Sequence, residues 1–325
     1  MRSGIDTLVV CACDEKYFPL AKGLLLSILE QGPLAPGIGV AFIDIGCGPS
    51  ATQWLRDRGV EVCVPDPDRF GGMFDSKLGY QRAQTCRPLL PKLFPGVTNL
   101  VWMDSDIWVQ DVSIFSRLRS WLTENPDKLL ITPECHYTYS HINDDPIERQ
   151  SELLSYYEPV FGPEIARRMC LLPILNTAFF AMAADNRIWA EWESELRRIY
   201  VEGSEEYAPL VRHMAEGMAL NVAARRGSRA LLFDPLYNYL CMWTLPFRDA
   251  AGVVRVALPP YAPVGVLHLA GGWANMGKRY FDRGLLYRAG SYLTDEDKSV
   301  LFQERNASVP GPSRPGWRTE RDARA

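Results

Sequence analysis

The first 64 residues alternate apolar runs with helix-like stretches, and few folds satisfy that order. Thr7–Cys13 is a continuous apolar run, the pattern of a strand buried on both faces of a parallel sheet. Residues 14–17 read as a turn. Pro19 then suits a first helical turn, and residues 20–29 read as a strongly apolar helix. Residues 37–44 follow as a strand, 51–58 as a helix and 60–64 as a third strand. The β-α-β-α-β order implies a parallel sheet with right-handed crossovers and helices on its faces, a Rossmann-like α/β fold. No Gly-rich dinucleotide fingerprint follows the first strand, and no GxxxxGK[ST] loop is present. The phosphates of any bound nucleotide must therefore be held by something else.

Asn99–Met103 reads as a short buried strand that runs directly into Asp104-Ser105-Asp106. Carboxylates are rarely buried unless they are paired or hold a metal. Two at the end of a core strand repel each other, and a divalent cation removes that repulsion. Ligands of open α/β sheets bind outside the carboxyl ends of the strands. The pattern thus fits a cation site holding a phosphate. It also fits a polar turn with both carboxylates solvated.

Residues 75–93 look helical, with Lys77, Gln81, Gln84 and Arg87 on one face and a break expected just after Arg87 at Pro88 and Pro91. Leu89, Leu90 and Leu93 place Arg87 beside buried residues. Residues 128–132 read as a strand. Residues 136–143, HYTYSHIN, form an aromatic and polar loop suited to an acceptor, or a plain surface excursion. Residues 146–168 should be helical in two pieces broken at Pro159 and Gly162-Pro163. Leu175–Ala183 reads as a strand carrying the polar Asn176, and Asp185 is the expected cap of the helix bearing Trp189 and Trp192. Residues 210–225 read as a helix with Glu216 and Asn221, and residues 264–268 as a late strand ending in His268. From residue 306 on, Pro, Gly, Ser and Arg dominate, which predicts a disordered tail.

With 47% hydrophobic and 23% charged residues the chain reads as an ordinary globular protein, and a net charge of −4 gives no reason to expect nucleic acid as a partner. Eight scattered cysteines include no metal-knuckle spacing and mostly lie in apolar stretches, so reduced thiols and a cytoplasmic location are expected. No signal-peptide pattern and no transmembrane segment is read. The Asn306-Ala307-Ser308 sequon is expected to stay unused.

Several pieces together resemble the GT-A glycosyltransferases, and among them glycosyltransferase family eight, the group of glycogenin and the bacterial lipopolysaccharide galactosyl- and glucosyltransferases. The resemblance spans roughly residues 7 to 275 and suits one domain. It rests on Asp14 to Tyr17, Arg87 ahead of Leu89-Leu90-Pro91, Val101 through Asp106, Asn176-Thr177-Ala178, Glu216 through Asn221, Pro235 to Asn238, and His268-Leu269-Ala270-Gly271. It implies one GT-A-like domain over residues 1–305, with a nucleotide-binding half to about 135 and a sugar and acceptor half over 136–305. It further implies a UDP-sugar donor, with Asp14 and Tyr17 on the uracil. Arg87, Ser105 and Gly271 would lie along the diphosphate and sugar. Asp104, Asp106 and His268 would hold Mn²⁺ or Mg²⁺, and Asn176 and Glu216 would line the sugar pocket. A mixed carboxylate and imidazole set suits Mn²⁺ better than Mg²⁺.

The chain departs from the family pattern at Ala178, Gly217 and Ala274-Asn275-Met276, where a glycine, an amide and a Lys-Pro-Trp are expected. Those departures admit a nucleotide-sugar-binding protein without turnover. An Asp-x-Asp phosphohydrolase also fits the two carboxylates, but Ile107-Trp108 stands where its small residue is needed. A sugar-nucleotide pyrophosphorylase lacks its Gly-rich loop. Glu216 itself could instead be an exposed helix acid pairing with Arg212.

Overall fold

The computed structural model describes residues 4–203, 207 and 209–270. β1 (Thr7–Cys13), α1 (Phe18–Leu29), β2 (Ile38–Asp44), α2 (Pro49–Arg56) and β3 (Glu61–Cys63) form the expected opening. β1 pairs in parallel with β2, and β2 with β3. β1 is buried along its whole length because it sits mid-sheet with helices over both faces. Its alternate residues divide between two layers. Leu8, Val10 and Ala12 face one core, while Val9, Cys11 and Cys13 face the other with α1 and α2.

Residues 75–93 are not one helix. Gly79 has φ 54 and ψ −126, a conformation closed to other residues, and it splits a 3₁₀ stretch ahead of α3 (Arg82–Thr85). Pro88 lies in a second 3₁₀ turn, and α4 (Leu90–Leu93) begins just ahead of Pro91. Lys77, Gln81, Gln84 and Arg87 therefore do not form a single stripe. Lys77 is exposed and Arg87 is buried.

β4 (Asn99–Met103) lies parallel to β1. It is followed by β5 (Ile107–Val109), α5 (Ser113–Glu124), β6 (Leu129–Pro133), α6 (Pro146–Met169), β7 (Leu175–Ala183), α7 (Ile188–Leu196) and α8 (Pro209–Arg225). In α6 the interruption falls at Gly162 (φ 77, ψ 167), just before Pro163, and Pro159 stays inside the helix. The helix after β7 has Arg187, not Asp185, at its capping position, and the nearby side-chain bond comes from Asn186, whose Oδ1 accepts from the Ile188 amide at 2.9 Å. That helix begins later than the sequence suggests, so the capping position moves with it.

β8 (Ala230–Leu232) completes a seven-stranded sheet in the order β3-β2-β1-β4-β7-β6-β8. β7 runs antiparallel to both neighbours and the remaining pairs are parallel. β9 (Tyr239–Leu240), a small hairpin of β10 (Phe247–Arg248) and β11 (Val254–Arg255), and β12 (Val266–His268) follow. β12 pairs antiparallel with β5 and parallel with β9 in a separate three-stranded sheet at the carboxyl end of β4. The eight cysteines are free thiols. Among the described residues no helix is long and apolar enough to cross a membrane. Gly271, Ala274, Lys278 and the tail from 306 lie outside the described residues.

Candidate active site

Side chains two residues apart on a strand share a face, so Trp102 and Asp104 point the same way. Strand pairing reaches Asp104, whose amide donates to the Ala178 carbonyl at 2.8 Å. The Trp102 indole donates to Asp104 Oδ1 at 2.6 Å, and the Arg87 guanidinium reaches the same oxygen at 2.5 Å. With Oδ1 occupied by two donors, Oδ2 is the oxygen left for a cation. The chain then turns, the Ile107 amide donating to the Asp104 carbonyl at 3.1 Å. β5 leads it back against β12, with Ile107 opposite His268 and the Leu269 amide bonded to the Asp106 carbonyl at 3.0 Å.

This pairing brings His268 to Asp106 across the length of the sequence, with Nε2 3.6 Å from Oδ1. One ligand atom each from Asp104, Asp106 and His268 lies within 4.8 Å of the others, a cluster of the size a divalent ion needs. His268 is buried and its Nδ1 has no hydrogen-bond partner among the described residues. Burial lowers His268 to about 4, which keeps the imidazole neutral and able to ligate. Burial raises Asp104, against the pull of Arg87, and raises Asp106 to about 6. About a quarter of each carboxylate side chain stays exposed, 25% and 24%. Two strained, partly open acids beside a neutral imidazole fit a hard or borderline cation of the Mn²⁺ or Mg²⁺ type.

Arg87 couples this cluster to Glu216. Its Nη1 bonds Glu216 Oε2 at 2.8 Å and Thr177 Oγ1 at 3.0 Å while Nη2 holds Asp104. Glu216 is 2% exposed and does not pair with Arg212, because α8 packs that face inward on β7. Its Oε1 has no hydrogen-bond partner among the described residues. Burial raises its carboxyl to about 7 despite Arg87. A carboxyl held above its unfolded value of 4.5 favours folding below that value and loses the contribution as pH rises through about 7. The thermal midpoint of the unliganded protein should fall across that window, and Glu216→Gln should flatten the fall. An unchanged slope in differential scanning fluorimetry would refute this account.

Thr177 reaches Glu216 because β7 is irregular there. Ile131 opposes Phe180, whereas Thr132 opposes Asn176, leaving Thr177 to Phe179 unpaired on the β6 side. Asn176 donates to Glu134 Oε1 at 2.7 Å and accepts from Asn238 at 2.8 Å. It therefore sits in an amide and carboxylate network behind the cluster. Asn221 is structural, clamping the Leu175 amide at 2.7 Å and its carbonyl at 2.9 Å.

The parallel β1–β4 register, Val10 opposite Trp102, puts the end of β1, with Asp14 after it, at the sheet edge where β4 ends. Asp14 Oδ1 accepts from the Tyr17 amide at 3.3 Å, and Tyr17 is half-buried beside it. The structure thus gathers Asp14, Tyr17, Arg87, Asp104, Ser105, Asp106, Asn176, Glu216 and His268 at one end of the sheet. Trp102 and Thr177 were not anticipated as site residues. The two-residue offset of Trp102 from Asp104 was the available signal for the first, and a bulge leaves none for the second.

No protein-family model and no curated protein matches the chain. Solved structures do. One is the galactosyltransferase LgtC in complex with donor and acceptor sugar analogues, at 16% identity and TM-score 0.56, covering 90% of this chain and all of that one. An active-site mutant of LgtC matches at 13% identity and TM-score 0.55 over the same 90%. The bifunctional glycosyltransferase WbbM matches at 12% identity and TM-score 0.52, covering 83% of this chain and 46% of that chain. The chain has the GT-A fold of these glycosyltransferases.

Proposed function

We propose that the protein is a glycosyltransferase that moves a hexose from a nucleotide sugar, a UDP-sugar, to an acceptor hydroxyl in the cytoplasm. The observation that carries this reading is the convergence of Asp104, Asp106 and His268 beside the Arg87–Glu216 pair, at the carboxyl edge of a GT-A sheet. Asp104 Oδ2, Asp106 and His268 would hold Mn²⁺, which when bound neutralises the charge that develops on a departing diphosphate. Asp14 would accept the uracil N3–H, and Tyr17 would stack on the base. Arg87 holds Asp104 and Glu216 at a fixed separation, so the diphosphate and sugar subsites are set in register before a donor arrives.

Retention fits the position of Glu216. Its unpartnered Oε1 can steady positive charge on an oxocarbenium-like sugar. The bond from the anomeric carbon to the phosphate oxygen breaks, a bond to the acceptor oxygen forms, and the acceptor proton passes to the departing phosphate oxygen. Asp144 and Asp145 are exposed, and Asp145 caps α6, which leaves Glu134 as the carboxylate an inverting route would need as its base. The configuration of the new glycosidic bond, read by NMR, separates the two.

Thermal shift with nucleoside diphosphates, with and without Mn²⁺, is the direct test. UDP stabilisation that requires the metal supports the reading, and release of free phosphate from simple esters would replace it with a hydrolase. Slow hydrolysis of UDP-sugars then tells an active enzyme from a binding protein without turnover. Tyr17→Ala should weaken UDP binding by about 1–3 kcal/mol if the ring stacks on the base. Calorimetry giving equal affinities for both proteins, or equal affinities for UDP and GDP, would remove the base-stacking assignment.

A further inference from the structure

Two thiols meet at the sheet edge that carries Asp14. Cys13 ends β1 opposite Asp44, the last residue of β2. The chain after β2 turns back onto it. Asp44 Oδ1 accepts from the Gly46 and Cys47 amides at 2.9 and 2.7 Å. The Ile45 amide and the Cys47 thiol each donate to the Cys13 carbonyl at 3.4 Å. The Cys13 and Cys47 thiols are hydrogen-bonded to each other. Cys13 is 3% exposed, in the core layer of α1 and α2, and Cys47 packs against the same layer but is only half-buried.

The Cys47 turn is tied to the turn that follows β1. The Glu15 amide donates to the Gly46 carbonyl at 3.2 Å, and the Gly48 amide donates to the Glu15 carboxylate. Asp14 and Tyr17, assigned above to the uracil, flank Glu15 in that turn, and Asp14 directly follows Cys13. A shift of Cys47 is therefore passed to the candidate base site through bonds on both sides of it.

We propose that Cys13 and Cys47 form an oxidative modification site that reacts with a peroxide, closes to a disulfide and weakens donor binding. Cys47 takes the first step because it is the thiol that reaches the surface. Its sulfur attacks one oxygen of hydrogen peroxide. The S–O bond forms, the O–O bond breaks, and the second oxygen leaves as water with the thiol proton. The Cys13 sulfur then attacks the Cys47 sulfenic sulfur. The S–S bond forms, the S–O bond breaks, and the hydroxyl leaves as a second water with the Cys13 proton. Two thiols lose two electrons, and one peroxide becomes two waters. Burial pushes the Cys13 thiol up and keeps it protonated, which suits the second step and not the first. Cys11 shares the core layer, but it lies two residues further into β1, and the Cys47 thiol is bonded to Cys13. A disulfide holds its sulfurs about 2.0 Å apart, closer than hydrogen-bonded thiols sit. Closing it draws residues 46–48 towards β1 and moves the contacts of Glu15 with them. Transient disulfides of this kind suit a protein whose thiols are otherwise reduced.

The effect on donor binding rests on the transferase reading above, and the formation of the disulfide does not. The full chain, reduced and then treated with a few equivalents of hydrogen peroxide, is blocked with N-ethylmaleimide and mapped as peptides without reduction. A Cys13–Cys47 cross-link should be the main oxidised product, and dithiothreitol should remove it. Cys13→Ala should leave Cys47 as a sulfenic acid that dimedone traps, and Cys47→Ser should leave Cys13 reduced. Calorimetric titration of UDP with Mn²⁺ should show about tenfold weaker binding to the cross-linked chain, recovery after dithiothreitol treatment, and no effect of peroxide on Cys47→Ser. Absence of a cross-link in the unmodified chain, or one that joins Cys47 to Cys11, overturns the site. A cross-linked chain that binds UDP as tightly as the reduced one overturns its control of the donor. Lack of Mn²⁺-dependent UDP binding by the reduced chain would instead remove the transferase reading and leave the modification site to stand on the peptide map.

Discussion

Asp106→Asn should abolish Mn²⁺-dependent UDP binding and, at neutral pH, raise the thermal midpoint of the unliganded protein. Removing a supporting residue behind a metal costs about 10–100-fold in affinity, and loss of a ligand should exceed that. The gain in stability has a different origin. Asp106 is raised to about 6 by burial and has no guanidinium bonded to it, so its ionised form at pH above that value strains the fold. An amide of the same shape removes the strain. Asp104→Asn should lose the metal equally but gain less stability, because Asp104 already receives Arg87 at 2.5 Å and the Trp102 indole at 2.6 Å. Calorimetric titration of Mn²⁺ and UDP, with melting curves of the same samples, reads both effects. Metal-dependent binding that survives in both variants would end the cation-site assignment.

Glu216→Gln should lower turnover by about two to three orders of magnitude, the range for a preorganised group that meets developing charge. UDP affinity should stay nearly unchanged, since Glu216 is bonded to Arg87 Nη1 and is not one of the three candidate metal ligands. A fall in turnover at constant donor affinity marks an interaction made mainly in the transition state. A large rise in the UDP dissociation constant would instead make Glu216 a support for Arg87 and Asp104. Steady-state kinetics beside calorimetry separates the two.

The central strands were legible to the residue. Thr7–Cys13, Asn99–Met103 and Leu175–Ala183 stand where their apolar runs place them, because a strand buried on both faces is apolar at nearly every position. The direction of β7 was not legible, since an apolar run carries no sign of parallel or antiparallel pairing. Nor were β5, β8 and β9, strands of three residues or fewer that exist through their partners. The stretch over 75–93 misled because side-chain spacing suggested a helix while Gly79 set the backbone.

The candidate site divides in the same way. Residue types and resemblance pointed to Asp104, Asp106 and His268, and the fold brings them together. The resemblance set Arg87 on the donor, and the structure adds that its guanidinium is engaged by Asp104 and Glu216. Glu216 as an exposed partner of Arg212 was compatible with helical spacing. α8 is buried around most of its circumference, and no periodicity could have chosen which of its polar residues points inward.

The pairing of β5 with β12 has a consequence for how the protein is made. Asp106 and His268 close a loop of roughly 160 residues, whose entropic cost grows only slowly with length but is met only once both ends exist. During synthesis the central strands β1, β2 and β4 emerge and can pair long before His268 leaves the ribosome. Until then Asp104 and Asp106 stand without His268, so capture of a cation by all three would wait for nearly the whole described chain. A tightly bound ion would therefore act as a cross-link between early and late segments, slowing unfolding more than it speeds folding.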